Sequence, residues 1–269
     1  MSDPVLKVIK QIRLTRNDPL DSVLTYLSES IQDFDEDQLN TLLFEMCDTY
    51  GINLGIINFL IQEGANPHSA PKIINVISDE LNRLKDDKLE VQINFLTEFI
   101  QYLSKEQLNE LLVKICVYFT DLELIKVLIE AGADPRYKDD KCFINICGDS
   151  VKATFFLDLG ADINAQGGKC LFKLSGGDDR ASQVKFLLDH GANITEDAIE
   201  QCIEYSNYTV IEVFLEHDQS EENANLILKL MMNHIRDRDE YHGRMFRAIN
   251  KKNPDYQKVI SELEFSDQF

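Results

Sequence analysis

The sequence predicts an all-α solenoid of stacked helix pairs with helical caps at both ends. Three observations carry this expectation: a helix-sized apolar phrase that recurs, a glycine that ends each strong copy, and a polar turn that follows. The clearest copy runs Ile125 to Pro135, I-K-V-L-I-E-A-G-A-D-P, and the phrase returns at 57–67, 153–163 and 184–194. Counted from the glycine, apolar residues stand at minus seven, minus five, minus four and minus three in every copy. That spacing is one face of a short helix.

Gly64, Gly132, Gly160 and Gly191 follow the last apolar turn, where a left-handed residue ends a helix without a Cβ penalty. Ala comes next, then Asp or Asn, residues that favour turns by bonding their own backbone. A weaker fifth copy, 210–218, places Asp218 where the glycine would stand, and Asp tolerates a left-handed conformation. The glycines are 68, 28 and 31 residues apart. Since 68 is twice 34, one repeat without its glycine is expected between Gly64 and Gly132. Asp35–Cys47 (D-E-D-Q-L-N-T-L-L-F-E-M-C) also aligns with Ser104–Cys116 (S-K-E-Q-L-N-E-L-L-V-K-I-C) at an offset of 69, as if a two-repeat unit had been duplicated.

A helix pair, a glycine stop and a turn at a period of about 33 residues, with the phrase V-K-F-L-L-D-H-G-A-N, resembles the ankyrin repeat family. The resemblance covers roughly 18–218, and its loose style is similar to ankyrin proteins of large DNA viruses and intracellular bacteria. The family's T-P-L-H opening of the first helix is absent. Lys141-Cys142-Phe143-Ile144 and Lys169-Cys170-Leu171-Phe172 stand in its place.

Taken in order, Asp3-Pro4 starts a capping helix over 4–16, with Val5, Leu6, Val8, Ile9 and Ile12 apolar. Pro19 begins the next helix, Asp35 a third that Gly51 ends, and Asn53 caps the helix that finishes at Gly64. A helix after Pro71 and another over 89–103 supply the missing repeat. Ser104 with Gln107 forms a capping box for the next helix, and Asp121 caps the helix ending at Ala131. Gly148 and Gly167-Gly168 are expected to break two first helices early, with Asp178 or Asp179 capping the helix to His190. Beyond Asp218 the phrase stops. Helices over 220–234, 241–249 and from Pro254 onward follow. The organisation is therefore 1–17 as N-terminal capping helix, 18–218 as about six repeats, and 219–269 as a helical cap, with a second docking module as the competing reading of that last segment.

Net charge is −20, from 47 acidic and 27 basic residues. That field repels nucleic-acid phosphates and anionic membranes, and no basic patch is concentrated enough to reverse it. The six cysteines lack the paired spacing of a secreted scaffold, and Cys47, Cys116 and Cys202 sit among apolar neighbours as buried thiols. No 18-residue apolar span and no leader-like run is found, so the expected location is cytoplasmic, or the host cytoplasm for a viral or effector protein. Among the histidines, His190 and His217 precede helix stops, a favourable place for an imidazole. No H-E-x-x-H, C-x-x-C or phosphate-loop motif is present, and Cys142, Cys147 and Cys170 lack a fourth ligand and metal spacing. The expectation is a non-enzyme with no cofactor and no metal.

The resemblance implies a monomeric adaptor or scaffold that binds a protein partner on the concave surface of the turns and first helices. The longest polar turn, 134–141, holds Arg136 and Tyr137, types common in binding hot spots. The residues expected to touch a partner are Arg136, Tyr137, Lys138, Asp162, Asn164, Gln166 and Lys169. The resemblance also marks Asn164, in G-A-D-I-N, as a position that can be hydroxylated; turn geometry alone also explains an Asn there. The alternative function is an acidic decoy that occupies a nucleic-acid-binding protein, motivated by the charge.

Overall fold

Fifteen α-helices and one short 3-10 helix make up a computed structural model that describes residues 3–15, 17–49, 52–118, 121–177 and 179–235; no strand occurs among them. The expected ends at Arg16, Tyr50 and Gly51, the Asp178 cap, and the helices at 241–249 and from 254 onward lie outside the described residues. The chain divides into two compact units, Met1–Tyr137 and Lys138–Phe269.

In the first unit the helices are α1 (Pro4–Leu14), α2 (Leu20–Ser30), α3 (Glu36–Cys47), α4 (Leu54–Gln62), α5 (Ile73–Arg83), α6 (Leu89–Ile100), α7 (Lys105–Tyr118) and α8 (Leu122–Glu130), with the 3-10 turn Pro67–Ser69 before α5. Each odd helix packs on the even helix that follows it. The odd helices α1, α3, α5 and α7 also pack in succession, as do α2 with α4 and α6 with α8. The expected glycine-less repeat is the α5–α6 pair.

The second unit holds α9 from Lys138 (Tyr137–Ile146 in full), α10 (Ser150–Asp158), α11 (Ala165–Ser175), α12 (Ala181–Asp189), α13 (Glu196–Glu204), α14 (Tyr208–His217) and α15 (Glu221–Ile235). Here α11 packs on α12 and α13 on α14, while α11, α13 and α15 pack in succession and α12 packs on α14.

Burial follows the repeated phrase. Ile57 and Leu60, Ile125 and Leu128, Ala153 and Phe156, Val184 and Leu187, and Ile211 and Phe214, at minus seven and minus four, are all buried. The minus-five residues Phe59, Val127, Phe155, Phe186 and Val213 are only half-buried, at the edge of the apolar stripe. In α1, Leu6 points to solvent at 62% exposure, so that helix buries only Val5, Val8, Ile9 and Ile12.

The glycine stops have the expected geometry. Gly64, Gly132, Gly160 and Gly191 have φ of 103, 103, 86 and 95°, and the N–H after each reaches back to a helix carbonyl, as in Ala133 to Leu128 at 3.0 Å and Ala192 to Leu187 at 3.0 Å. This is a Schellman closure, which satisfies carbonyls the helix end leaves open. Asp218 departs from expectation. Its φ is −115°, and its carboxylate instead accepts the Ser220 N–H at 3.0 Å, directing the chain into α15 without a left-handed residue.

Gly167 and Gly168 are left-handed and interrupt α11 near its start, which is the early break expected there. One further expectation is corrected. The cap position of α12 is Arg180, which makes no side-chain cap, and Asp179 is left-handed at φ 54°.

Candidate functional site

The turns after the helix stops share one construction. The Asp or Asn after G-A folds its side-chain oxygen onto the N–H two residues ahead: Asn66 to His68 at 3.0 Å, Asp134 to Arg136 at 2.9 Å, Asp162 to Asn164 at 2.8 Å. That self-bonding was readable from residue type. Its own N–H is then taken by a side chain from another helix or turn. Asn40 accepts from Asn66 at 2.6 Å and Asn109 from Asp134 at 2.7 Å in the first unit. In the second, Asp140 accepts from Asp162 at 3.0 Å and Asn164 from Asn193 at 2.8 Å. Each turn is thus pinned by a short polar side chain, from a helix in the first unit and from a neighbouring turn in the second.

Asn40 and Asn109 occupy the same place in the duplicated segments, and their helices start alike. Asp35 with Gln38 and Ser104 with Gln107 each form the reciprocal capping box. The duplication was legible, but the linking role of its Asn was not.

A second device recurs beside the first. Five side-chain amide nitrogens each bridge two backbone carbonyls: Gln92 those of Lys85 and Asp87, Gln107 those of Pro67 and Ala70, Gln166 those of Lys138 and Asp139, Asn207 those of Ser175 and Gly177, and Asn223 those of Phe214 and Asp218. All but Gln166 are buried. Lys173 does the same with its ammonium, at 3.3 and 3.1 Å from the Ile144 and Asn145 carbonyls. Buried carbonyls left without donors cost free energy, which accounts for the four buried amides in an apolar interior.

The residues expected to touch a partner fall in two stretches. In the first unit, Arg136 is exposed and Tyr137 half-buried. The Tyr137 hydroxyl hydrogen-bonds to Glu106 and to Glu110, the latter at 2.9 Å. The bond to Glu106, and then burial and Glu110, push the phenol above its ordinary range. In the second unit Lys138, Asp162, Gln166 and Lys169 are exposed and Asn164 is half-buried. Asn164 is committed at both ends, its Oδ1 to Asn193 and its Nδ2 to the Gly191 carbonyl at 3.1 Å. Lys169 Nζ lies 4.6 Å from the centre of the Phe172 ring, a cation–π contact on its own helix.

The turn at 138–140 is unusual. Lys138, Asp139 and Asp140 are all left-handed, at φ 55, 55 and 57°. The same three steps recur at Gln166, Gly167 and Gly168, at φ 52, 72 and 78°. Glycine makes the second turn inexpensive, whereas each non-glycine residue costs roughly 1–2 kcal/mol in this region. The Gln166 amide braces the first turn through its carbonyls, and Asp140, at 1% exposure, is held by the Asp162 N–H. Asp139 is exposed and corresponds to Gly167, so D139G should stabilise the fold by about 0.5–1 kcal/mol, after glycine's greater unfolded-state freedom is subtracted. Urea denaturation would read this as a higher midpoint with an unchanged slope.

All six cysteines are buried free thiols. Burial pushes Cys47 and Cys202 up to about 12, which keeps both protonated and unreactive at neutral pH. The Cys147 thiol donates to the Ile144 carbonyl at 3.3 Å, and its neighbour Cys170 lowers Cys147, while Cys147 and then burial raise Cys170.

Two open cavities lie on the described surface. One, of about 220 Å³, is in the first unit at the C-terminal end of α3. Its Lys72 is paired with Asp48 and its Arg83 with Glu80, so its cations are already neutralised. The other, of about 530 Å³, is in the second unit and includes His217 and Ser220. Ser220 Oγ accepts the Asn223 N–H at 3.2 Å as a helix cap, and among the described residues no hydrogen bond joins it to His217. His190 Nδ1 lies 2.8 Å from the Phe186 carbonyl, the helix-end placement expected for it.

The class defined by these elements is, among the described residues, an all-α arrangement of packed helix pairs whose turns are held by polar side chains. Comparison with protein-family models, with curated proteins and with solved structures gives no match. No helix among the described residues is long and apolar enough to cross a membrane.

Proposed function

We propose that the chain is a divergent ankyrin-type repeat protein that acts as a non-enzymatic adaptor or scaffold, capturing a protein partner with its turns and the exposed sides of its odd-numbered helices. The observation that carries this reading is the pinning of the turns, by the helix residues Asn40 and Asn109 and by the turn residues Asp140 and Asn164. Such links fix the backbone before any partner arrives, so little ordering entropy opposes binding. Stacked repeats offer extended surfaces of this kind.

The side chains fall into two roles. Asn164 and Gln166 spend their hydrogen-bonding groups on neighbouring turns, so their contribution is to hold shape. Arg136, Lys138, Asp162 and Lys169 project outward and supply the contact.

Alanine at Arg136, or at Lys169, is expected to weaken partner capture about tenfold or more, as for an interface anchor, while shifting the melting temperature little. Unchanged capture by both variants would move the surface elsewhere. The decoy reading is motivated by the −20 charge. It predicts competition by DNA or RNA and loss of binding in salt.

A further inference from the structure

Three odd helices of the second unit share a register of 28 residues. Cys142 and Phe143 on α9, Cys170 and Leu171 on α11, and Ala198 and Ile199 on α13 are buried pairs at that interval. The residue before each pair therefore stands in one row: Lys141, Lys169 and Asp197. Lys169 and Asp197 are exposed and Lys141 is half-buried. The helices that carry the row are neighbours. α11 packs on α13, and Lys173 Nζ, one turn beyond Lys169, reaches the carbonyl of Asn145, one turn beyond Lys141, at 3.1 Å.

The row runs cation, cation, acid. Lys169 does not turn to Asp197: its ammonium lies over the Phe172 ring of its own helix, 4.6 Å from the centre, and among the described residues no ion pair joins the two. Exposed Lys173 extends the basic part along α11, and exposed Glu196 and Glu200 extend the acidic end along α13. Of the acids beside Lys141, Asp140 is buried and held by the Asp162 N–H, while Asp139 is exposed in the turn.

We propose that this row docks an extended segment of the partner whose charges run acid, acid, base at three-residue intervals. The inference deepens the adaptor reading and rests on it. Packed helices lie about 8–10 Å apart. A polyproline II segment, with three residues per turn and a rise of about 3.1 Å, presents every third side chain on one side at intervals of about 9 Å. Crossing α9, α11 and α13 in that conformation, it sets one side chain over each member of the row. Local order selects the partner here, because exchanging the last two charges places a base on Lys169 and an acid on Asp197.

The test is fluorescence anisotropy with the full chain at low salt, where exposed charges are least screened. The labelled probes are E-P-P-E-P-P-R, its reverse R-P-P-E-P-P-E, and E-P-P-R-P-P-E, which has the same composition with the base in the middle. One of the first two is expected to bind roughly threefold or more tighter than the third, the scale of one exposed ion pair. In K169A that preference should disappear. In K169E/D197K, whose net charge is unchanged, the third peptide should become the tightest binder. Equal affinity of all three peptides overturns the proposal, as does a preference that survives K169A. Self-association in sedimentation that is lost in K169E/D197K, with no peptide order preferred, assigns the face to a second copy and overturns it likewise. Capture from lysate separates this claim from the adaptor reading. A retained partner that none of the peptides displaces overturns the row alone, whereas ordered peptide binding with no retained partner overturns the adaptor reading alone.

Discussion

Replacing Asp149 with alanine should destabilise the protein by roughly 2–4 kcal/mol, for two separate reasons. Asp149 caps α10, its Oδ1 accepting the N–H of Val151 at 3.1 Å and of Lys152 at 3.2 Å. It also faces the Lys152 ammonium at 3.1 Å, and that lysine side chain is only 9% exposed while Asp149 is 46% exposed. Losing a cap costs about 1 kcal/mol. Stranding a buried ammonium adds more, tempered by the water that reaches the Asp149 side. The double variant D149A/K152M should recover most of the second loss, because an apolar side chain of similar volume needs no counter-charge. If D149A alone costs under 0.5 kcal/mol in urea denaturation, Lys152 has another way to be solvated and this account of α10 is wrong.

The pH dependence is set by the same carboxylate. Burial pushes Asp149 up, but the Lys152 N–H, the Lys152 ammonium and the Val151 N–H outweigh it and leave the group below its ordinary range. A folded-state value below the unfolded one contributes stability at pH above the unfolded value of about 3.9, lost as pH falls through the folded value. The stability gap between wild type and D149A should therefore be fully present at pH 7 and shrink in acid, below about pH 4.

The second large effect is expected at Asn207. Its Nδ2 lies 3.0 Å from the Ser175 carbonyl and 2.7 Å from that of Gly177, and its Oδ1 accepts the Thr209 hydroxyl at 3.0 Å. Ser175 is at 0% exposure, so its carbonyl has no water to turn to when the amide is removed. N207A should cost about 2 kcal/mol, from an unsatisfied buried acceptor together with the lost bonds. N207D should cost at least as much, because it keeps the shape but sets a carboxylate against two carbonyls. Thermal or urea unfolding that ranks N207D as neutral would contradict this assignment.

Residue type and spacing made much of this legible. The apolar phrase located the even helices α4, α8, α10, α12 and α14, and the four glycines located the ends of the first four, because both depend on local backbone geometry. The pair α5–α6 was legible from the interval, the duplicated segment and the helix signals after Pro71. What escaped was every feature whose cause lies far along the chain. Nothing near Asn207 shows that its amide must reach the carbonyls of residues 30 and 32 positions earlier. The stop of α13 was hidden because Ser206, not glycine, adopts the left-handed turn there at φ 55°. Asp218 misled for the converse reason: its side chain offers another route out of a helix, and the chain takes it. Gln166 and Asn164 were legible as turn residues, but not as braces for neighbouring turns. That distinction separates the bracing residues from the others at the candidate surface.

The most direct test of the account is affinity capture with the full chain from native lysate, at low salt and again at about 0.5 M, where the screening length is only a few ångströms. The adaptor reading predicts a discrete protein partner retained at both salt concentrations and weakened by R136A or K169A. A set of basic nucleic-acid-binding proteins that wash away at 0.5 M and are displaced by DNA or RNA would contradict it.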